Sequence, residues 1–303
     1  SHYCNLRNLK MIVGSIKEDL ALEKRVSLTP ETAKNIIGLG LKVCVEKEYA
    51  IHLGIKDNEY EKVGVEIKSS PSEVSISSNL IIKVNCPSES EISILKENSI
   101  LIGMLNPSKN KNKISKIINK KIKSFSLELL PRITRAQSMD VLSSQSNLAG
   151  YRAVVECVAK FEKAVPMMMT AAGTVTAAKV MILGAGVAGL QAIATAKRLG
   201  AVVCAFDVRA AAKEQVQSLG AKFVEVEADQ DSETAGGYAK EMSEDYKKRQ
   251  EDLIAKTIAK QDIVISTALI PGKKAPILIK KEMVESMKSG SVVSDLAAVN
   301  GGN

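Results

Sequence analysis

Residues 180–196 carry no charged side chain, and the way this stretch is read constrains the fold more than any other part of the sequence. Its length approaches the roughly 18 apolar residues of a membrane span, but its interior excludes one. Val180-Met-Ile-Leu183 has the pattern of a buried strand and Gly184-Ala-Gly186-Val-Ala-Gly189 that of a turn. From Leu190 the chain is Ala-rich and helical, up to Lys197 and Arg198. The run is a buried strand turning into a helix. In that setting the glycines allow a tight turn, close backbone approach to a pyrophosphate, and close packing of helix on strand, with the helix N-terminus facing the phosphates. The following strand ends in Asp207, at a distance in sequence where a carboxylate can accept the hydroxyls of an adenine ribose and repel a 2′-phosphate. Arg209 complicates the choice, since an Arg near this position can accept that phosphate. The strand-end position of Asp207 favours NAD(H) over NADP(H).

The same alternation runs along the chain. In the second half, strands are expected at 180–183, 202–207, 222–226, 263–267 and 292–295, with helices at 187–199, 210–219 and, long and charged, about 239–260. In the first half, 11–16, 41–45, 80–84 and 100–104 read as strands. Thr29-Pro30-Glu31 reads as the capped start of a helix over 33–39 that stops at Gly40. A chain of 303 residues has a prior of roughly two domains. A helical pattern from Ser143 to about Lys163 bridges them, and Pro166 ends the crossing. The expectation is an α/β protein of two Rossmann-like domains with parallel sheets, residues 1–142 and 143–303, joined by a long helix with a nucleotide cleft between them.

Composition removes several other functions. Aromatic residues are 3% of the chain and Trp is absent, which argues against base-stacking platforms and hence against nucleic acid. The net charge of +8 has a local origin in Lys109, Lys111, Lys113, Lys116, Lys120, Lys121 and Lys123, a run without an acidic residue. Ile114, Ile117, Ile118 and Ile122 form an apolar stripe beneath it, as in a solvated helix face. Cys4, Cys44, Cys86, Cys157 and Cys204 are spread out and never form C-x-x-C, as expected of packed thiols in a reducing compartment. With His2 and His52 the only histidines, metal sites and His-based triads lack parts. The N-terminus shows no signal-peptide layout.

A second polar constellation spans Pro131-Arg132-Ile-Thr-Arg135-Ala-Gln137-Ser138-Met-Asp140-Val-Leu-Ser143, just before the bridging helix. By chemistry alone it is either a solvated loop ending in a helix cap or part of a site. Together with the run Ser-Ser-Gln-Ser-Asn-Leu-Ala-Gly-Tyr-Arg152, it resembles the Arg-Gln-Asp loop of the NAD(H)-binding domain of proton-translocating NAD(P) transhydrogenases. The same family is resembled by Pro166-Met-Met-Met-Thr-Ala-Ala-Gly173, the glycine turn, Asp207-Val-Arg209, Thr234-Ala-Gly-Gly-Tyr238-Ala-Lys-Glu-Met242, Thr267-Ala-Leu-Ile-Pro-Gly272, and Asp295 through Gly301-Gly-Asn303. The match is dense from about Leu127 onward and looser before it.

The resemblance implies roles at these positions. Arg132, Gln137, Asp140 and Ser143 would surround the nicotinamide ring, and Gln137 would also reach a neighbouring NADP-bearing domain. Gly184, Gly186, Val187 and Gly189 would meet the pyrophosphate, and Asp207, Val208 and Arg209 the adenosine end. Thr267, Ala268 and Leu269 would lie beside the dinucleotide. Gly236, Gly237 and Tyr238 would form a mobile loop, with Gln250 nearby; a Gly-Gly hinge beside one large side chain suits a lid. NAD(H) would bind this chain and NADP(H) a partner domain, with direct hydride transfer between them coupled to proton passage through a membrane domain. The chain would be a homodimer, peripheral to the membrane and not inserted in it, facing the mitochondrial matrix or bacterial cytoplasm. Family chains run on past the position of Asn303, so the resemblance implies a portion of a longer chain.

Two rivals remain. Alanine dehydrogenase shares the two-domain plan, and Lys83 resembles its substrate-binding Lys. However, Met104 stands where that enzyme carries its catalytic His, and amino-acid oxidation then lacks a proton acceptor. Lys83 is then better read as an exposed or salt-bridged strand-end residue. A non-catalytic NAD(H) sensor is the other rival, disfavoured because a sensor needs only the adenosine half gripped.

Overall fold

Short polar caps start three helices of the first half. Thr29, Ser70 and Ser88 each accept a hydrogen bond from the backbone N–H three residues on, with Pro30 and Pro71 opening two of the three helices. The computed structural model describes residues 11–227, 243–270 and 272–303. The chain divides into two compact units between Val141 and Leu142.

In the first unit the order is β1 (Ile12–Ser15), α1 (Pro30–Gly38), β2 (Lys42–Glu46), α2 (Asp57–Glu61), β3 (Glu66–Lys68), α3 (Pro71–Ser77), β4 (Leu80–Asn85), α4 (Glu89–Ile94), β5 (Ile100–Met104), α5 (Lys111–Asn119) and β6 (Lys123–Ser126). The strands form one parallel sheet in the order β3-β2-β1-β4-β5-β6. Period-two alternation sends Val43 and Val45 to one face and Cys44 to the other, so both faces are apolar and covered. On one face Tyr49 and Tyr60 meet edge to face at 5.7 Å between ring centroids. Their hydroxyls are satisfied inside, Tyr60 donating to the Leu28 carbonyl (2.7 Å) and Tyr49 pairing with Ser15 Oγ (2.7 Å).

The second unit runs α6 (Val141–Lys160), β7 (Met168–Thr170), β8 (Gly173–Val175), β9 (Lys179–Leu183), α7 (Val187–Arg198), β10 (Val202–Phe206), α8 (Ala212–Ser218), β11 (Lys222–Phe223), α9 (Glu244–Ile258), β12 (Ile263–Ser266), α10 (Lys281–Glu285) and β13 (Val292–Asp295). Five strands form a parallel sheet, β11-β10-β9-β12-β13. Val180 and Ile182 of β9 pack under α6 and α7, whereas Met181 and Leu183 pack under α9. A strand buried on both faces must be apolar at every position, which is why 180–183 reads as a continuous apolar run. Both units are Rossmann-like α/β folds with parallel sheets.

Several expectations need correction. Ile118 is exposed, because α5 seats only the narrower stripe of Ile114 and Ile117; Ile122 is buried beyond the helix end. The helix expected over 239–260 is seen from Glu244 to Ile258, and residues 239–242 lie outside the described ones. The β7–β8 hairpin, antiparallel and exposed throughout, has no counterpart among the expected elements. Cys44 and Cys157 are buried, Cys86 and Cys204 half-buried, and all four are free thiols; Cys4 lies outside the described residues. Among the described residues no helix is long and apolar enough to cross a membrane, and no group of three or more His, Cys, Asp or Glu could hold a metal ion.

Candidate functional site

The turn after β9 is built by close approach. Gly184 has φ +95°, a left-handed conformation that favours glycine, and a Cβ on Gly189 would fall 1.7 Å from the Gly184 carbonyl oxygen. Gly186, the N-cap of α7, faces open space instead, with no heavy atom beyond its chain neighbours within 4 Å of where its Cβ would stand. The first two glycines of the turn therefore serve different ends. Gly184 permits the bend, whereas Gly186 leaves an unfilled cradle at the positive end of a 12-residue helix whose first turn, beginning at exposed Val187, has no acidic residue.

The neighbouring strands are stitched to this turn from both sides. From β10, Gly184 N–H donates to the Phe206 carbonyl (2.8 Å) and Ala185 N–H to Asp207 Oδ2 (2.8 Å). From β12, Thr267 N–H donates to the Leu183 carbonyl (2.8 Å) and Thr267 Oγ1 to the Gly184 carbonyl (2.9 Å). Exposed Val208 and Leu269 stand one residue beyond Asp207 and Ala268.

Asp207 is nearly closed to solvent, 7% exposed, while its partner Arg209 is 61% exposed. The guanidinium reaches both carboxylate oxygens, Nε to Oδ1 and Nη2 to Oδ2 at 3.1 Å, and Arg209 N–H adds a bond of 2.8 Å to Oδ1. Burial works against ionisation of this carboxyl. The hydrogen bonds from the Arg209 side chain and the Ala185 and Arg209 amides outweigh it, leaving the pKa below its ordinary value. Asp207 is therefore an anion, and a ribose can reach it by displacing an exposed guanidinium rather than a buried group. The cradle at Gly186, the helix terminus and this carboxylate together suit an extended dinucleotide.

The other expected residues are distributed as follows. Arg132 and Gln137 are exposed, and Asp140 is half-buried, on or beside the two-turn 3-10 segment Thr134–Met139 that is anchored by buried Ala136 in the first unit. Ser143 is half-buried in the first turn of α6. Gln250 is half-buried on α9, one turn before buried Ile254. A crossover helix runs back antiparallel to its strands, so this N-terminal half of α9 lies toward the carboxyl edge of the sheet. Gly236, Gly237 and Tyr238 lie outside the described residues.

Lys83 is buried, its ammonium 3.3 Å from Glu18 and 2.9 Å from Glu91. It is salt-bridged, and not exposed. Burial raises the Glu18 pKa above its ordinary value, ahead of the opposing effects of Lys83 and the Val84 N–H. Nearby, Arg25 grips Glu23 with two bonds of 2.8 Å, and Asn85 adds a third of the same length. Led by the Arg25 bond, these hold the Glu23 pKa down to about 2. Two residues inside the motifs carry roles that sequence alone does not assign. The Ala185 amide holds Asp207, and Asn303 holds Ala268, 35 positions away.

Residues 14–149 match the family model for the N-terminal domain of alanine dehydrogenase/PNT, and residues 153–303 the model for its C-terminal domain. The chain is 50% identical over 297 residues to an NAD(P) transhydrogenase subunit alpha chain of Rickettsia prowazekii, covering 97% of this chain and 78% of that one. A solved structure of transhydrogenase from Sinorhizobium meliloti superposes with a TM-score of 0.88 at 50% identity, covering 96% of this chain and 80% of that one. The alanine dehydrogenase of Methanococcus maripaludis is 30% identical over 297 residues, covering 97% of this chain and 74% of that one.

Proposed function

The chain belongs to the alanine dehydrogenase/PNT family, and on that premise we propose that it is the NAD(H)-binding component of a proton-translocating NAD(P) transhydrogenase. The observation that carries the reading is the glycine turn with an open cradle at Gly186, flanked by the anionic Asp207 at the end of the adjacent strand. The higher identity to the transhydrogenase alpha subunit than to alanine dehydrogenase supports the choice within the family. So does Met104 at the expected place of a catalytic His, together with a Lys83 ammonium already bound by two carboxylates.

In this reading the chain binds and orients. The amides around Gly184, Gly186, Val187 and Gly189 receive the pyrophosphate, and Asp207 accepts the adenine-ribose hydroxyls as Arg209 swings away, with Val208 against the adenosine end. Thr267, Ala268 and Leu269 border the other half. Arg132, Gln137, Asp140 and Ser143 orient the nicotinamide end, and Gln137 faces the partner. The bound dinucleotide supplies the hydride, which NADP+ on a partner domain accepts. No side chain of this chain acts as acid or base, and its contribution is positioning and water exclusion. A membrane domain couples the transfer to proton movement. The chain is a homodimer at the membrane periphery, facing a reducing aqueous compartment.

Calorimetric titration with NADH and with NADPH tests the binding half. Preference for NADH is expected; preference for NADPH would mean that Arg209 governs the pocket and would overturn the assignment of cofactors to domains. Adding an NADP+-loaded NADP(H)-binding domain should then start NADH oxidation. Rapid alanine-dependent NAD+ reduction by the chain alone would favour the dehydrogenase instead.

A further inference from the structure

We propose that Asn303 is a positioning residue for the nucleotide site: its carboxamide fixes Ala268, and with it the apolar wall against which the nicotinamide half of a dinucleotide lies. The proposal rests on the NAD(H) reading above and assigns a role within it that neither the sequence motifs nor the family match supplies.

The location of that wall follows from sheet order. Strands β10 and β12 flank β9 on opposite sides. A dinucleotide with its pyrophosphate on the turn after β9 and its adenosine over Asp207 at the end of β10 must run its other half over the end of β12. The segment leaving β12 there is Thr267-Ala-Leu-Ile270. Thr267 is tied to the glycine turn, and Ala268 to Asn303.

The Asn303 tie pairs a side-chain amide with a backbone peptide. Asn303 Oδ1 accepts from Ala268 N–H (3.1 Å), and Nδ2 donates to the carbonyls of Ala268 (2.9 Å) and Pro276 (2.8 Å). The Asn303 carbonyl in turn accepts from the amides of Leu278 (2.7 Å) and Ile279 (2.9 Å). One residue therefore spans the start and the end of the 268–279 segment. Asn303 is itself held by Asp295, whose Oδ2 accepts its N–H (2.9 Å) while Oδ1 accepts from Ser266 Oγ (3.0 Å) and Ala297 N–H (2.9 Å). Ser266 and Asp295 are register partners of β12 and β13, so the clamp is anchored to the sheet. The return turn needs Gly301 and Gly302, at φ +100° and +85°, and a Cβ on Gly302 would come within 2.9 Å of Asp295 Oδ2.

This pairing sets what the wall can offer. Both polar backbone groups of Ala268 are engaged by Asn303, leaving its methyl and the Leu269 and Ile270 side chains, 45% and 44% exposed, as surface. Asn is required because one side chain must present an acceptor to an N–H and a donor to two carbonyls at once. Asp would set a carboxylate oxygen against those carbonyls.

The test titrates the whole chain and its variants with NADH and, separately, with AMP, which carries only the adenosine half. Asn303→Asp should weaken NADH binding by about tenfold and Asn303→Ala by about fivefold, with AMP affinity held within about twofold. Gly302→Ala, which displaces Asn303 without altering it, should act in the same direction and stands in should Asn303→Asp fail to fold. Equal losses for AMP and NADH would reduce Asn303 to a general fold support and overturn the proposal, as would unchanged NADH affinity. Wild-type chain that binds neither AMP nor NADH would instead overturn the nucleotide reading itself.

Discussion

Sheet order reverses at the same point in both units, between β1 and β4 in one and between β9 and β12 in the other. The crevice beyond the carboxyl ends of the strands at such a reversal is where α/β sheets receive ligands. In the second unit that place holds glycines, a helix N-terminus and an anionic carboxylate. In the first unit it holds the protein's own ions. Glu18 from the loop after β1 and Glu91 from α4 close on Lys83 of β4, and Glu23, Arg25 and Asn85 form a second set beside them. One topology thus yields a crevice filled by internal salt bridges and another left open, and the difference lies in the loop after the first strand: Ile16-Lys-Glu18 against Gly184-Ala-Gly186.

The comparison can be broken from either side. The largest effect is expected from Lys83→Met, which leaves Glu18 and Glu91 facing each other without their cation and should cost about 4 kcal/mol at neutral pH by chemical denaturation. The loss should shrink toward acid, because the Glu18 pKa is already raised and its carboxyl takes up a proton early as pH falls. NADH affinity, read in the other unit, should not change. Gly189→Ala sets a methyl against the Gly184 carbonyl and should destabilise the second unit by about 3 kcal/mol while abolishing NADH binding in titration.

Asp207→Asn should weaken NADH by about 1–3 kcal/mol in the same assay, the worth of hydrogen bonds to a charged acceptor. An unchanged affinity would remove Asp207 from the site. The smallest effect concerns Glu23. Its folded pKa of about 2 lies below the ordinary 4.5, so its contribution is present above pH 4.5 and is lost as pH falls toward 2. With Arg25 43% exposed, screening leaves about 1 kcal/mol. Glu23→Gln should lower stability at neutral pH and flatten the acid limb of the first unit's melting profile by that amount.

What can be read from sequence follows from where the partners lie. The β9–turn–α7 unit is legible because its determinants are consecutive and each glycine answers a local steric demand. The strands of both sheet centres are legible because both faces are buried. β3 and β6 are not: β3 is three residues long with Ile67 its one apolar side chain, and β6 is largely exposed within a Lys-rich stretch. The β7–β8 hairpin is fully exposed and carries no alternation to read. At the site, the sequence marks Asp207 but not its bond to Ala185, and Lys83 but not its burial between Glu18 and Glu91. Those contacts join positions far apart in sequence, and only chain folding selects them.

In the proposed nucleotide site, the pairing of Arg209 with Asp207 would bear on how quickly a nucleotide comes and goes. The carboxylate is already satisfied before any ribose arrives, so binding exchanges one set of hydrogen bonds for another and the net gain is smaller than the contact itself. On dissociation the guanidinium is a ready competitor, tethered two residues away, that can retake the oxygens as the ribose leaves. Because that competitor is largely in solvent, added salt weakens its hold on the sheltered carboxylate and so lowers the cost of exchanging guanidinium for ribose at Asp207 itself. A built-in displacing ligand of this kind would shorten the residence time of a ribose at the proposed site.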